Sequence, residues 1–300
     1  MTFRARWLRQ PQTTWVRKAL FQVHLWLGLG LGLYIVVLCL TGSALVFRDE
    51  LTEAWETPLP AYRDGVAPLS RADLTASAQK AYPDHVVARV GERFTRNRPV
   101  IEIWLDRNGE RLERLFNPYT GEDVGAALPT SVRALLWTAQ LHDELLFGET
   151  GKRINGILSA LVAVLAMTGL VIWWPGVQRW RRALGVRWRT RWSVFNFDLH
   201  SALGFWFFAI IALWGWSGIY LAYPEPIHAV VDAYSDPDAI LGERPADHVL
   251  RWFVRLHFGR WGEWHWLSWV WVAMGLVPVI MFVTGTAMWW SRVVRKRTPS

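Results

Sequence analysis

Histidine is the side chain here best suited to holding a metal, and four of the eight histidines fall in contexts that repeat along the chain. In "HLWLG" (24–28), Gly28 follows His24 by four residues and the pair Thr41-Gly42 begins 17 residues after it. In "HSALG" (200–204), Gly204 follows His200 by four and Ser217-Gly218 begins 17 residues after it. His142 and His257 each follow a leucine, precede Thr168-Gly169 and Thr284-Gly285 by 26 and 27 residues, and lead to Trp173-Trp174 and Trp289-Trp290. Four correlated matches imply two copies of one helical hairpin, the first enlarged by an insertion. Neutral imidazole is a good axial ligand for haem iron, and two of them give a saturated iron suited to electron transfer. Positions i and i+4 of a helix share a face, which sets Gly28 and Gly204 beside their histidines, where a missing side chain leaves room for a flat macrocycle.

The elements that must position these residues are membrane helices. Over half the residues are apolar and 22 are tryptophan, a density natural at membrane–water interfaces. Segments 25–47, 154–174, 202–223 and 266–290 have 21 to 25 residues and no charge. At about 1.5 Å per residue each is long enough to span a bilayer. The expected fold is a mainly α membrane protein, a four-helix transmembrane bundle of two repeated hairpins. Flanking segments are 1–24, 48–153, 175–201, 224–265 and 291–300. The basic N-terminal start resembles a signal peptide, but the apolar run is too long and ends without a small-residue cleavage site.

Charge sorts the loops. The first, third and last flanking segments hold 15 basic residues and one acid, Asp198; the other two hold 18 basic residues and 24 acids. This is the positive-inside pattern, with both termini cytoplasmic and segments 48–153 and 224–265 outside. The net charge of +8 therefore reports topology and calls for no nucleic acid.

That topology puts His24 and His200 at the cytoplasmic face and His142 and His257 at the outer face. Two pairs, one at each face, are what two haem b groups stacked across a bilayer require. Any one of these histidines, taken alone, also reads as an interfacial residue bonded to a carbonyl; the duplicated spacing favours ligation for the set. His85, His228, His248 and His265 lack this symmetry. His265 is a reserve outer ligand, two turns beyond His257 if the helix is continuous. The Thr/Ser-Gly pairs either relieve crowding or let helices pack closely, and close packing is the preferred reading. Arg17 and Lys18 at the inner face, and Lys152, Arg153, Arg255 and Arg260 at the outer, are candidates to pair with haem propionates, with ordinary snorkelling the alternative. The Trp-Trp pairs read as an aromatic belt, with a quinone or electron-transfer role as the alternative. The single cysteine, Cys39, allows no intramolecular disulfide and no iron–sulfur cluster. No Gly-rich nucleotide fingerprint follows a strand, and no nucleophile, base and orienting group suggest hydrolysis.

Segment 48–153 is long enough to contain a small folded domain. "LSRADLTASAQKAYP" (69–83) predicts a helix capped by Ser70 with Asp73 three residues on. "HVVARVGERF", "VIEIWLD" and "ERLERLFNPYTGEDVG" predict an antiparallel meander ending in a turn. Together they form a small α+β domain.

"VHLWLGL" (23–29), "LFNPYTGEDVG" (115–125), "LHDELLFGETGKRINGI" (141–157), "TGLVIWWP" (168–175), "DLHSALGFW" (198–206), "LHFGRWG" (256–262) and "TGTAMWWSR" (284–292) together resemble the PepSY-associated transmembrane-helix family of bacterial inner-membrane proteins. The resemblance implies a PepSY-like periplasmic domain at about 59–125, inserted between the first two spans. It also implies kinship with iron-uptake proteins, including ferric-siderophore reductases that carry b-type haem. Some of those have a cytoplasmic flavin reductase domain; here the expected electron donor is a separate reductase or quinol. "LHFGRWGEW" is shorter than its counterpart "LHDELLFGETGKR", so the outer site departs from the repeat.

The expected function is transmembrane dihaem electron transfer, in which a periplasmic ferric siderophore or chelate is reduced and Fe(II) released. Two other classes stay open: a non-enzymatic regulator whose PepSY-like domain binds an envelope partner, and a metal-ion permease that uses the intramembrane histidines transiently. The sequence assigns no catalytic residue beyond the proposed ligands.

Overall fold

Two units are built from one run of helices interrupted by a sheet, and the computed structural model describes residues 2–61, 65–95, 98–234, 245–259 and 264–293. The helices are α1 (Phe3–Arg9), α2 (Trp15–Gly30), α3 (Gly32–Leu45), α4 (Arg48–Trp55), α5 (Arg71–Ala81), α6 (Thr130–Glu144) and α7 (Gly148–Trp173). They continue with α8 (Trp180–Ala183), α9 (Trp192–Ala222), α10 (Pro224–Ala233), α11 (Pro245–Phe258), α12 (His265–Gly275) and α13 (Val277–Val293). Strands β1 (Val86–Thr95), β2 (Arg98–Arg107), β3 (Glu110–Phe116) and β4 (Asp123–Ala126) lie between α5 and α6. One compact unit comprises Met1–Phe47 with Thr138–Ser300, and the other Arg48–Trp137.

In the larger unit, α7, α9 and the stretch His265–Val293 are long and apolar enough to cross a membrane, and α2 with α3 makes a fourth if the bent pair is one span. The predicted unbroken helix over 25–47 is corrected here: α2 and α3 meet at Leu31 with a 60° bend. Gly28, Gly30 and Gly32 crowd that point, and each glycine weakens a helix interior by about 1 kcal/mol. Close packing fixes the break, because a Cβ on Gly32 would lie 1.8 Å from the Phe282 ring of α13. The predicted fourth helix is also interrupted, at Leu276 just before Pro278, which has no N–H to give the ladder.

Helix ends differ from the apolar boundaries as well. Helix α7 begins at Gly148 rather than 154, and α9 at Trp192 rather than 202. Polar residues enter α9 because they are satisfied there: buried Asp198 accepts from Arg187 at 2.6 Å, and buried Asn196 donates to the Thr284 carbonyl at 2.9 Å. Helices α7 and α9 touch through small residues. A Cβ on Gly215 would meet the Ala163 backbone nitrogen at 2.9 Å, and one on Gly156 the Ala222 Cβ at 2.6 Å. Without a hydrophobic drive between helices in lipid, such backbone proximity is a main source of their association.

The smaller unit has an antiparallel sheet in the order β1-β2-β3-β4, the predicted meander. Helix α5 starts as expected, with Ser70 Oγ accepting from Asp73 N–H at 3.2 Å. Alternation in β2 sends Ile101, Ile103 and Leu105 to the buried side, against Leu74 and Ala78 of α5. On the other side, Trp104 lies between the guanidinium groups of Arg89 and Arg111, each 4.6 Å from a ring centre. The "NPYTG" turn places Gly121 at φ 72°, and a Cβ there would lie 2.6 Å from Ser77 Oγ. Tyr82 donates to the Asp123 carboxylate, which also takes a 2.7 Å ion pair from Arg114; burial and then that carboxylate raise the Tyr82 phenol to about 12.

Candidate functional site

Each of the four repeat-related histidines finds the hydroxyl–glycine pair of its own hairpin. His24 Nδ1 on α2 is 3.0 Å from the Leu165 carbonyl and 3.3 Å from Thr168 Oγ1, both on α7. His142 Nδ1 on α6 is 2.9 Å from Thr41 Oγ1 on α3. In the second copy, His200 Nδ1 on α9 is 2.9 Å from Thr284 Oγ1 on α13, and His257 Nδ1 on α11 is 2.6 Å from Ser217 Oγ on α9. The repeat in spacing is therefore also a repeat in contacts. The reading of these pairs as packing devices is incomplete, because their hydroxyls hold imidazoles.

The glycines complete the seat at three of the four positions. A Cβ on Gly42 would lie 2.8 Å from His142 Cε1, on Gly169 2.9 Å from His24 Cε1, and on Gly285 3.2 Å from His200 Cε1. Gly218 serves helix packing instead, its face filled by Ser159 Oγ at 2.5 Å. Gly28 and Gly204 share faces with their histidines: Leu165 lies over both His24 and Gly28, while a Cβ on Gly204 would meet Met281 at 3.3 Å.

Across the hairpins one pair of these histidines meets ring to ring: the His142 and His257 ring centres are 6.4 Å apart with planes at 67°. Burial, and then the neighbouring His142, push the His257 imidazole down to about 4, and burial lowers His142 as well. Both rings are therefore neutral at ordinary pH, the form that binds metals.

These contacts span nearly the whole chain, and so does its similarity to one family: the model of the PepSY-associated TM region matches residues 21–246 and 234–292. The chain belongs to the PepSY-associated TM family. Among the curated proteins it matches none. In this PepSY-associated TM protein, two further polar side chains brace the site and stand out in sequence only as polar positions inside apolar runs. Asn155 of α7 donates to the carbonyls of His142 and Asp143 at 2.8 and 3.1 Å, and Tyr34 donates to its Oδ1 at 2.6 Å. That clamp holds a tight connection, since Leu145 and Leu146 between α6 and α7, and Gly148 at the start of α7, all have positive φ.

The remaining candidates divide. Arg17 donates to the Ile172 carbonyl at 3.1 Å, satisfying the end of α7, and Arg153 pairs with Glu149 at 3.2 Å on an exposed surface. Arg255 stacks on Trp252 at 5.6 Å, and Arg260 lies outside the described residues. His265 cannot extend the helix of His257: α11 ends at Phe258, Gly259 has φ 65°, and α12 starts afresh at His265. Trp173 stacks on Phe205 at 4.1 Å. Its Nε1, with Trp174 Nε1, Ser43 Oγ and Thr286 Oγ1, is buried without a hydrogen-bond partner; Ser43 and Thr286 adjoin Gly42 and Gly285.

Proposed function

We propose that this membrane protein carries electrons between two haem b groups, one held by His24 and His200 and the other by His142 and His257, and delivers them to a ferric siderophore or chelate. The observation that carries this reading is the His142–His257 pair. With about 2 Å from each ring nitrogen to a shared metal, His142 and His257 would hold one ion between them at a ring-centre separation of roughly 6 Å. The separation of 6.4 Å fits, and in all four rings the hydrogen-bonded nitrogen is Nδ1, which leaves Nε2 for the metal. Among the described residues no three His, Cys, Asp or Glu side chains converge on a metal position. Two imidazoles need four further donors for an octahedral ion, and a tetrapyrrole provides them.

When bound, bis-histidine haem supplies a one-electron Fe(III)/Fe(II) couple with no open coordination position. The chain's residues hold the ligands in orientation and keep them neutral and away from water. The positive-inside distribution of the basic segments supports a topology with both termini in the bacterial cytoplasm and segment 48–153 outside the inner membrane. A cytoplasmic reductase or a quinol gives the electron, and the ferric chelate outside gains it. The hard oxygen donors of the chelate then hold Fe(II) less tightly.

The test is spectroscopic and then kinetic. Purified protein should show b-type haem bands on reduction, and ferric siderophores mixed with the reduced protein should reoxidise it in a stopped flow. Colourless protein from haem-replete cells would contradict the electron-transfer reading and favour the regulator. Coloured protein that no ferric complex reoxidises would contradict the acceptor.

A further inference from the structure

The four hydroxyls that meet the histidines have their own protons already committed. Thr41 Oγ1 donates to the Val37 carbonyl at 2.7 Å, Thr168 to Val164 at 2.9 Å, Ser217 to Leu213 at 2.7 Å and Thr284 to Ile280 at 2.9 Å. A hydroxyl has one proton and two lone pairs, so an oxygen oriented this way presents a lone pair to the imidazole. The ring nitrogen facing it must then be an N–H. His24 makes the same point independently, because its Nδ1 also faces the Leu165 carbonyl at 3.0 Å, which can only accept.

We propose that Thr41, Thr168, Ser217 and Thr284 are positioning residues that fix the Nδ1–H tautomer of His142, His24, His257 and His200 and, by accepting that hydrogen bond, strengthen Nε2 as an electron donor to a haem iron. The iron clause rests on the function proposed above; the tautomer clause does not. A ligating histidine whose other nitrogen is hydrogen-bonded is held in tautomer and orientation and is the more basic for it. Here the acceptor is a neutral hydroxyl, so the ring gains orientation without a buried charge. The hydroxyl–glycine dipeptide then has two functions at three positions, the hydroxyl taking the ring nitrogen and the glycine admitting the ring edge. Because each hydroxyl lies in the hairpin of its own histidine, the four can be altered one ligand at a time.

The experiment uses full-length protein in detergent and compares Thr284→Val, which keeps the shape and loses the acceptor, with Thr284→Ser, which keeps the hydroxyl. Thr41→Val and Thr41→Ser serve the same purpose for the other pair. Redox titration followed by optical spectra reads the midpoint potential of each haem. Removing an outer-shell partner of a ligand changes metal affinity by about ten-fold or more. A ten-fold loss of preference for ferric over ferrous iron is an upward shift of about 59 mV. Thr284→Val should raise the potential of the His24/His200 haem alone, Thr41→Val that of the His142/His257 haem alone, and each serine variant should restore the wild-type value. Unchanged potentials in both valine variants, equal shifts at both haems, or serine variants shifted as far as valine would overturn the proposal. A wild-type protein without haem would sink the function by itself. Histidine-15N spectra of that same protein would still decide the tautomer, with protons on Nδ1 of the four rings supporting it and protons on Nε2 overturning it.

Discussion

His24 and His200 sit inside α2 and α9, helices that also run through the membrane part of the protein, whereas His142 and His257 sit on α6 and α11, separate helices beside it. The first pair of histidines belongs to elements of spanning length and composition. The second lies outside them, and on the His142 side a brace is visible: the Asn155 clamp on the α6 carbonyls. The two ends also differ in glycine use, since Gly218 is given over to Ser159 while its three counterparts face imidazoles. A duplicated device has thus been kept where both copies grip the histidine nitrogen and has diverged where helices pack.

The largest effects should come from the proposed haem ligands. His257→Ala is expected to remove one of the two haems and leave the other's spectrum intact, and His200→Ala to do the reverse, as read by difference spectra. Loss of both haems in each variant would erase the distinction between the ends. Next come the seats. Gly42→Val would drive a side chain into the His142 ring, where even a Cβ comes within 2.8 Å, and should empty that end of haem. Gly28→Ala should be tolerated, its nearest neighbour being Leu165 at 3.8 Å; equal haem loss in the two would show that the glycines do not act by contact.

Bracing gives smaller effects. Asn155→Ala leaves the His142 and Asp143 carbonyls without their side-chain donor, at a cost of about 1–3 kcal/mol, and should lower the thermal retention of the His142/His257 haem more than that of the other. Tyr34→Phe removes only the hydroxyl that orients Asn155 and should cost about 1 kcal/mol in the same assay. Acid should also act on this end. An unfolded imidazole titrates near 6.5 and folded His257 near 4, so between those values the unfolded state binds more protons and stability falls as pH drops. Melting curves from pH 7 to 4 in the haem-free protein should show that loss, and His257→Gln should lessen it.

Much of this architecture was legible because its signals are local or periodic. Apolar length marked the membrane helices, and alternation in "VIEIWLD" marked β2. Ser70 and Asp73 announced the start of α5 within three residues. The repeat exposed all four histidines because duplication preserves spacing. The bend at Leu31 was harder to read, although three glycines flank it, because what fixes it is Phe282 on a distant helix. The hydroxyl contacts were out of reach for the same reason: His24 and Thr168 are 144 residues apart, and His142 and Thr41 101. Read along one helix, "TG" suggests packing; only a second helix brings an imidazole to it. The polar extension of α9 to Trp192 escaped because Asp198 is satisfied by Arg187, a pairing that hydropathy cannot register.

In the function proposed above, each end of the membrane unit holds one haem between a histidine of the first hairpin and a histidine of the second. The most direct test is the haem-to-protein ratio of the purified full-length chain, measured by pyridine haemochrome against amino-acid analysis. About two b-type haems per chain are expected, both low-spin as bis-histidine ligation requires. A ratio near zero, or a single haem unaffected by loss of any of His24, His142, His200 or His257, would contradict it.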